Sequence, residues 1–208
     1  MKKIIAAILI TGIITLLSGC LSTLHPLFTE KDLVFDPRLI GSWNNGPDDN
    51  GSIVFARGST ENFRDLPQSL QAIANKAYAV TMTDKDGEIK YYAFLSRIGN
   101  ELYLDYYPAE TSRQKQYDDF FKQHLVKLHS LYHVQFAQNQ SLRIRQFDEG
   151  FLKNLINNKK IRISHEVMFD GSYLITASTE ELQQYVLKYG DVPEAYSNEK
   201  DDTFYKIK

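Results

Sequence analysis

Ala77-Tyr-Ala-Val-Thr-Met-Thr-Asp-Lys-Asp-Gly-Glu-Ile-Lys-Tyr-Tyr-Ala-Phe-Leu-Ser-Arg-Ile-Gly-Asn-Glu-Leu-Tyr-Leu-Asp-Tyr-Tyr-Pro108 is the stretch that decides the fold class. Asp84-Lys85-Asp86-Gly87 and Gly99-Asn100 are turn sequences, because Gly, Asn and Asp tolerate the backbone angles that reverse a chain. They divide the stretch into Ala77 to Thr83, Glu88 to Ser96 and Glu101 to Tyr107, each rich in Tyr, Val, Ile, Phe and Thr. The reading is a three-stranded antiparallel meander. In its middle strand Ile89, Tyr91, Ala93 and Leu95 share one face and Lys90, Tyr92, Phe94 and Ser96 the other. Neither face is fully polar, as expected where the inner face lines a barrel and helices or loops cover the outer one.

Working outward, further strands are predicted at Ile53 to Arg57, Leu131 to Gln138, Leu142 to Phe147, Lys160 to Val167, Tyr173 to Ala177 and Thr203 to Ile207, with Asn139-Gln140 as a tight turn. With the meander this makes about eight or nine strands, the range of a closed barrel. The fold class is therefore mainly β with added helices, an antiparallel β-barrel. Ser178 and Glu181 frame a capping box for a helix whose stripe is Leu182, Tyr185, Val186 and Tyr189, stopped at Gly190. A second helix is predicted over Glu149 to Asn157 with Asp148 as its N-cap, and a third from Pro67 to Lys76. Thr111 to Gln123 is polar around Phe120-Phe121 and reads as a loop or short helix.

Before the barrel strands, Asp36-Pro37 forms a turn leading into Gly41-Ser42-Trp43, which holds the single tryptophan. Gly41-x-Trp43 resembles the opening motif of the lipocalin and wider calycin families, whose Trp closes one end of an eight-stranded barrel. The ending, from Tyr173 through the capped helix to a last strand at Lys206, is similar to that of uncharacterised bacterial lipoproteins with lipocalin-like domains. The chain differs from secreted lipocalins in its added helices and in a lysine near the end where those carry arginine.

The N-terminus has the three parts of a secretory signal: basic Lys2-Lys3, an apolar run from Ile4 to Leu17, and small residues before a cut site. The run is shorter than the roughly 20 residues of a membrane-spanning helix. It ends at Leu17-Ser18-Gly19-Cys20, with the only cysteine of the chain. This quartet resembles the lipobox of bacterial lipoproteins, which implies cleavage between Gly19 and Cys20 and acylation of Cys20. Leu21-Ser22 lacks the aspartate that retains such proteins at the inner membrane, so the resemblance implies an outer-membrane address facing the periplasm in a Gram-negative envelope. The expected organisation is a signal peptide over residues 1–19, a lipidated N-terminus and short linker over 20–36, and one barrel domain over 37–208. Leu24, Leu27, Phe28, Leu33, Val34 and Phe35 make 21–36 too apolar for a free tether and point to packing on the domain.

Without Lys2 and Lys3 the mature chain has 22 basic and 26 acidic residues, a net charge of −4. That is the wrong sign for a nucleic-acid partner. The chemistry of a catalytic or metal site is not visible. His129 and His133 are four apart, but a strand spreads that spacing over roughly 13 Å, so core or surface histidines are the reading. His165-Glu166 lacks a second histidine at Phe169. There is no nucleophile elbow, no phosphate-binding glycine loop, and no free thiol once Cys20 is acylated. No enzyme, metal or cofactor is expected. Two functions remain: a barrel that binds a lipid or other small apolar or amphipathic molecule among Tyr78, Tyr92, Phe94, Tyr103 and Tyr107, or a filled barrel that meets an envelope protein through its surface. The membrane, through Cys20, is a partner in both.

Overall fold

The computed structural model describes residues 21–46, 51–109, 118–122, 124–137, 140–197 and 203–207. Eleven strands are present among them: β1 (Ser22–Thr23), β2 (Gly41–Asn44), β3 (Ser52–Arg57), β4 (Ala77–Asp84), β5 (Gly87–Ile98), β6 (Glu101–Pro108), β7 (His129–Phe136), β8 (Leu142–Gln146), β9 (His165–Val167), β10 (Tyr173–Ile175) and β11 (Thr203–Lys206). The helices are α1 (Gln68–Ala72), α2 (Asp119–Lys122), α3 (Glu149–Asn157) and α4 (Thr179–Tyr189). Strands β2 to β8 pair antiparallel in sequence order, and β11 closes the ring between β8 and β2. The result is a closed eight-stranded antiparallel barrel, which leaves none of these strands as a free sheet edge.

The predicted meander is β4–β5–β6 and runs one or two residues longer at its turns. Two predicted strands lie elsewhere than expected. β9 and β10 stand outside the barrel in a small side sheet, while the eighth barrel strand is β2, which carries Gly41 and Trp43. The side sheet exists because β1 extends the edge of β7 below the end of β8: Ser22 and Thr23 pair antiparallel with Ser130 and His129, and parallel with Leu174 and Ile175. A two-residue strand has too few side chains to declare itself in a sequence.

Alternation along the strands separates three apolar clusters. Trp43, Phe55, Tyr78, Val80, Leu95, Leu104, Tyr106, Val134 and Leu142 point inward and form one apolar cluster inside the barrel. On the outer wall of β5–β7, Ile98, Tyr103 and Leu131 pack under α3 and α4 with Leu152, Leu182 and Tyr185. On the outer wall of β4 and β5, Tyr92, Phe94 and Ala77 pack under Phe63, Leu66 and Ile73 of the β3–β4 connection. The helices are built as their sequences suggest: the Asp148 side chain accepts from the Phe151 amide, and Ser178 and Glu181 cap each other's backbone. Gly190 ends α4 with φ −61°, an ordinary helical angle. Its need is for space, since a Cβ there would lie 2.2 Å from the Tyr103 hydroxyl.

The segment read as a short linker belongs to the domain. Leu21, Leu27, Phe28 and Leu33 are buried. The Leu27 amide donates to Asp105 (2.9 Å), Gln183 donates to the Leu27 carbonyl (3.0 Å), and the Val34 amide donates to the Leu95 carbonyl (2.9 Å). From there a 3₁₀ turn, Pro37–Leu39, crosses the base of the barrel and places Leu39 inside it.

Candidate functional site

The closed end explains the Gly-x-Trp motif. Trp43 donates its indole N–H to the Leu39 carbonyl (2.8 Å), and the Lys206 ammonium stands 5.2 Å over its ring. Lys206 reaches that position across Gly41, where a Cβ would lie 2.8 Å from Lys206 Cε and where φ is +127°. The angle is what favours glycine here, since the lysine stem could shift to make room. Arg38 covers the Phe136 ring (4.0 Å) and Arg57 the Phe35 ring (4.3 Å), so cations stacked on aromatics seal this end.

The five aromatics expected to line a ligand pocket are not brought together. Tyr78 alone faces inward; it donates to the Asp36 carbonyl and accepts from the Asp36 amide, and burial pushes its hydroxyl up to about 12. Tyr92 and Phe94 face the other way and pack on Phe63 and Phe28. Tyr107 lies outside against His129 (4.8 Å), and Tyr103 lies outside against Phe147 (6.1 Å). Tyr92 and Tyr91 are neighbours in a strand, so only one of them can look inward, and the register puts Tyr91 there. The shared lining is corrected to four outer-wall residues and one inner one. Among the described residues the interior holds one buried polar atom without a partner, the Tyr106 hydroxyl, whose ring packs against those of Tyr91 and Tyr132.

Polar chemistry is concentrated on the outer wall instead. His129 and His133 share the outer face of β7, and each meets a carboxylate of β6. His129 Nδ1 is 2.6 Å from Asp105 Oδ1, while Asp105 Oδ2 accepts the Leu27 amide. Burial pushes the Asp105 carboxyl up, partly offset by His129. His133 is held between Glu101 (2.7 Å, at Nε2) and the Arg145 guanidinium (2.8 Å, at Nδ1). Arginine can only donate, so Nδ1 must accept and the proton sits on Nε2, donating to Glu101. Burial, with Arg145 adding to it, holds His133 below its ordinary value. The ring is a neutral connector between Glu101 and Arg145. Among the described residues no three His, Cys, Asp or Glu side chains gather as a metal site.

Cys20 and Gly19 lie outside the described residues. The geometry immediately after them is defined: Leu21 is 1% exposed and belongs to the cluster under α3 and α4, and β1 starts at the next residue. Scans of family models, curated proteins and solved structures find no match to this chain.

Two surface features were missed in the residue-by-residue reading. One is an open cleft of about 450 Å³ floored by Ile156 and Ile163, with Lys159, Arg162, His165 and Glu181 around it. Its elements meet only through the tertiary fold, since Glu181 comes from α4 and the rest from the stretch that runs from the end of α3 to the start of β9. Glu181 accepts from Ser164 (3.2 Å) and caps α4, and the Ser178 amide holds its carboxyl below the usual range. The other is the turn joining β9 to β10, where Val167, Met168 and Phe169 are exposed. An apolar trio ahead of Asp170-Gly171 was the available signal for it.

Proposed function

We propose that this chain is a lipid-anchored protein of the bacterial cell envelope, cut before Cys20, acylated there, and facing the periplasm from the outer membrane, whose filled barrel acts as a scaffold for meeting another envelope component. The anchoring part rests on the Leu17-Ser18-Gly19-Cys20 motif and its flanks. The observation that supports it from the fold is Leu21, the second residue of a chain so cut, which is buried in the domain core. The scaffold part is supported by the interior, where Trp43, Phe55, Tyr78, Leu95 and Leu104 are each at most 2% exposed and belong to one cluster. Two acyl chains already hold a protein stably on a bilayer.

A second reading, a small amphipathic ligand inside the barrel, is favoured by the unpartnered Tyr106 hydroxyl, because a buried donor without a partner costs about 1–3 kcal/mol. Labelling cells with radioactive palmitate tests the anchor: wild-type chain takes up label and Cys20→Ser does not, and equal labelling would overturn it. Native mass spectrometry of the domain made without Cys20 tests the contents. The scaffold reading expects the bare mass, and a co-purifying lipid-sized adduct lost in Tyr106→Phe supports the second.

A further inference from the structure

We infer that the β9–β10 turn is a membrane-contacting element, in which Val167, Met168 and Phe169 enter the lipid interface beside the anchor. The inference rests on the acylation of Cys20 proposed above. Three observations lead to it. The first is exposure: Phe169 is fully exposed, Val167 61% and Met168 46%, although Tyr173 and Ile175 of the same hairpin pack inward. Three consecutive apolar side chains in water at one turn ask for an apolar surface.

The second is register. β1 and β10 are parallel, with Ser22 beside Leu174 and Thr23 beside Ile175, so the start of β1 and the start of β10 lie at the same end of the side sheet. β10 starts immediately after the turn, whose Met168 and Ser172 close it by a 2.9 Å backbone hydrogen bond. Neighbouring strands are about 4.8 Å apart and residues rise about 3.3 Å along them, which puts the turn roughly 10 Å from Leu21.

The third is the absence of slack. Leu21 is fixed in the core, and residue 20 is attached to it by one peptide unit, about 3.8 Å between Cα atoms. A bilayer that holds acyl chains on Cys20 therefore meets this edge of the molecule, and interfacial elements bury their apolar face about 5–10 Å deep. The one acid between Val167 and Ser172, Asp170, stays charged, which keeps the contact at the level of the headgroups. Asp170 is tied back to the Ser172 amide (2.9 Å) and hydroxyl (2.6 Å).

The test uses the full chain, acylated in cells, extracted and reconstituted into phosphatidylethanolamine–phosphatidylglycerol vesicles with and without brominated lipid. Phe169→Trp adds a reporter at an exposed position, against the constant emission of buried Trp43. Flotation with the vesicles and roughly twofold quenching of the added emission by bromolipid are expected, as for a ring at interfacial depth. Flotation without quenching would overturn the contact and leave the anchor standing, pointing to a protein occupant of the turn. Cys20→Ser floating as well as the parent would overturn the anchor and, with it, the ground for the contact.

Discussion

The two faces of the same barrel strands have opposite chemistry. Inward residues of β4–β8, such as Tyr78, Val80, Leu95, Leu104 and Val134, form an apolar cluster with shape as its main demand. Outward residues of β5–β7 include Ser96, Asp105, His129 and His133, all buried although polar. A barrel wall in water would be polar and exposed; here helices α3 and α4 and the segment 21–36 lie over it. The inner face thus supplies the volume of the fold, and the outer face supplies the instructions for where the covering segments dock. Asp105 is the plainest case, because it receives the Leu27 amide of a segment 78 positions earlier.

Four substitutions test that division. Phe55→Ala empties space at the barrel centre and is expected to cost about 3–5 kcal/mol, read as a lower urea midpoint for the whole domain. Recovery of the loss by surrounding rearrangement would mean that the interior is not tightly filled. Asp105→Ala leaves the Leu27 amide and His129 without their carboxylate and is expected to cost about 1–3 kcal/mol. Its signature is local: hydrogen exchange at the Leu24 and Leu27 amides rises more than at the barrel strands. A uniform rise would erase the distinction between wall and interior.

His133 gives a pH-dependent version of the same comparison. Its folded value lies below the ordinary 6.5, so the stability it contributes is full above that pH and is lost as pH falls through the folded value. Urea midpoints between pH 8 and 5 should decline on the acid side, and the decline should flatten in His133→Gln. An unchanged slope would mean that the Arg145–His133–Glu101 connection does not depend on a neutral ring. The smallest effect is at the closed end. Lys206→Met removes a cation from Trp43 and keeps its stem, so about 0.5–1 kcal/mol is expected, with a shift in tryptophan emission.

Local features were readable because their causes are local. The turns at Asp84–Gly87 and Gly99-Asn100, the capping box of Ser178 and Glu181, and the apolar content of residues 21–36 each depend on neighbours within a few positions, and each is found in place. The inner and outer faces were not separable, because the covering segments make the outer wall as aromatic as the inner. Tyr92 and Phe94 look like pocket residues for that reason. Likewise the partners of His129 and His133 come from β6 and β8 through a register that only strand pairing defines. The assignment of β9 and β10 to the barrel failed at β1, whose two residues leave no periodicity to read.

The burial of Leu21 also orders events in time. Under the proposed processing, the bond to be cut is two residues upstream of a side chain that ends inside the domain. β1, Ser22–Thr23, is seated between β7 and β10, so a protease that needs extended backbone beyond Cys20 would have to act before β1 inserts. The last strand segment to enter the structure would then be the first one translated, and maturation of the fold would be timed by the membrane enzyme that makes the cut.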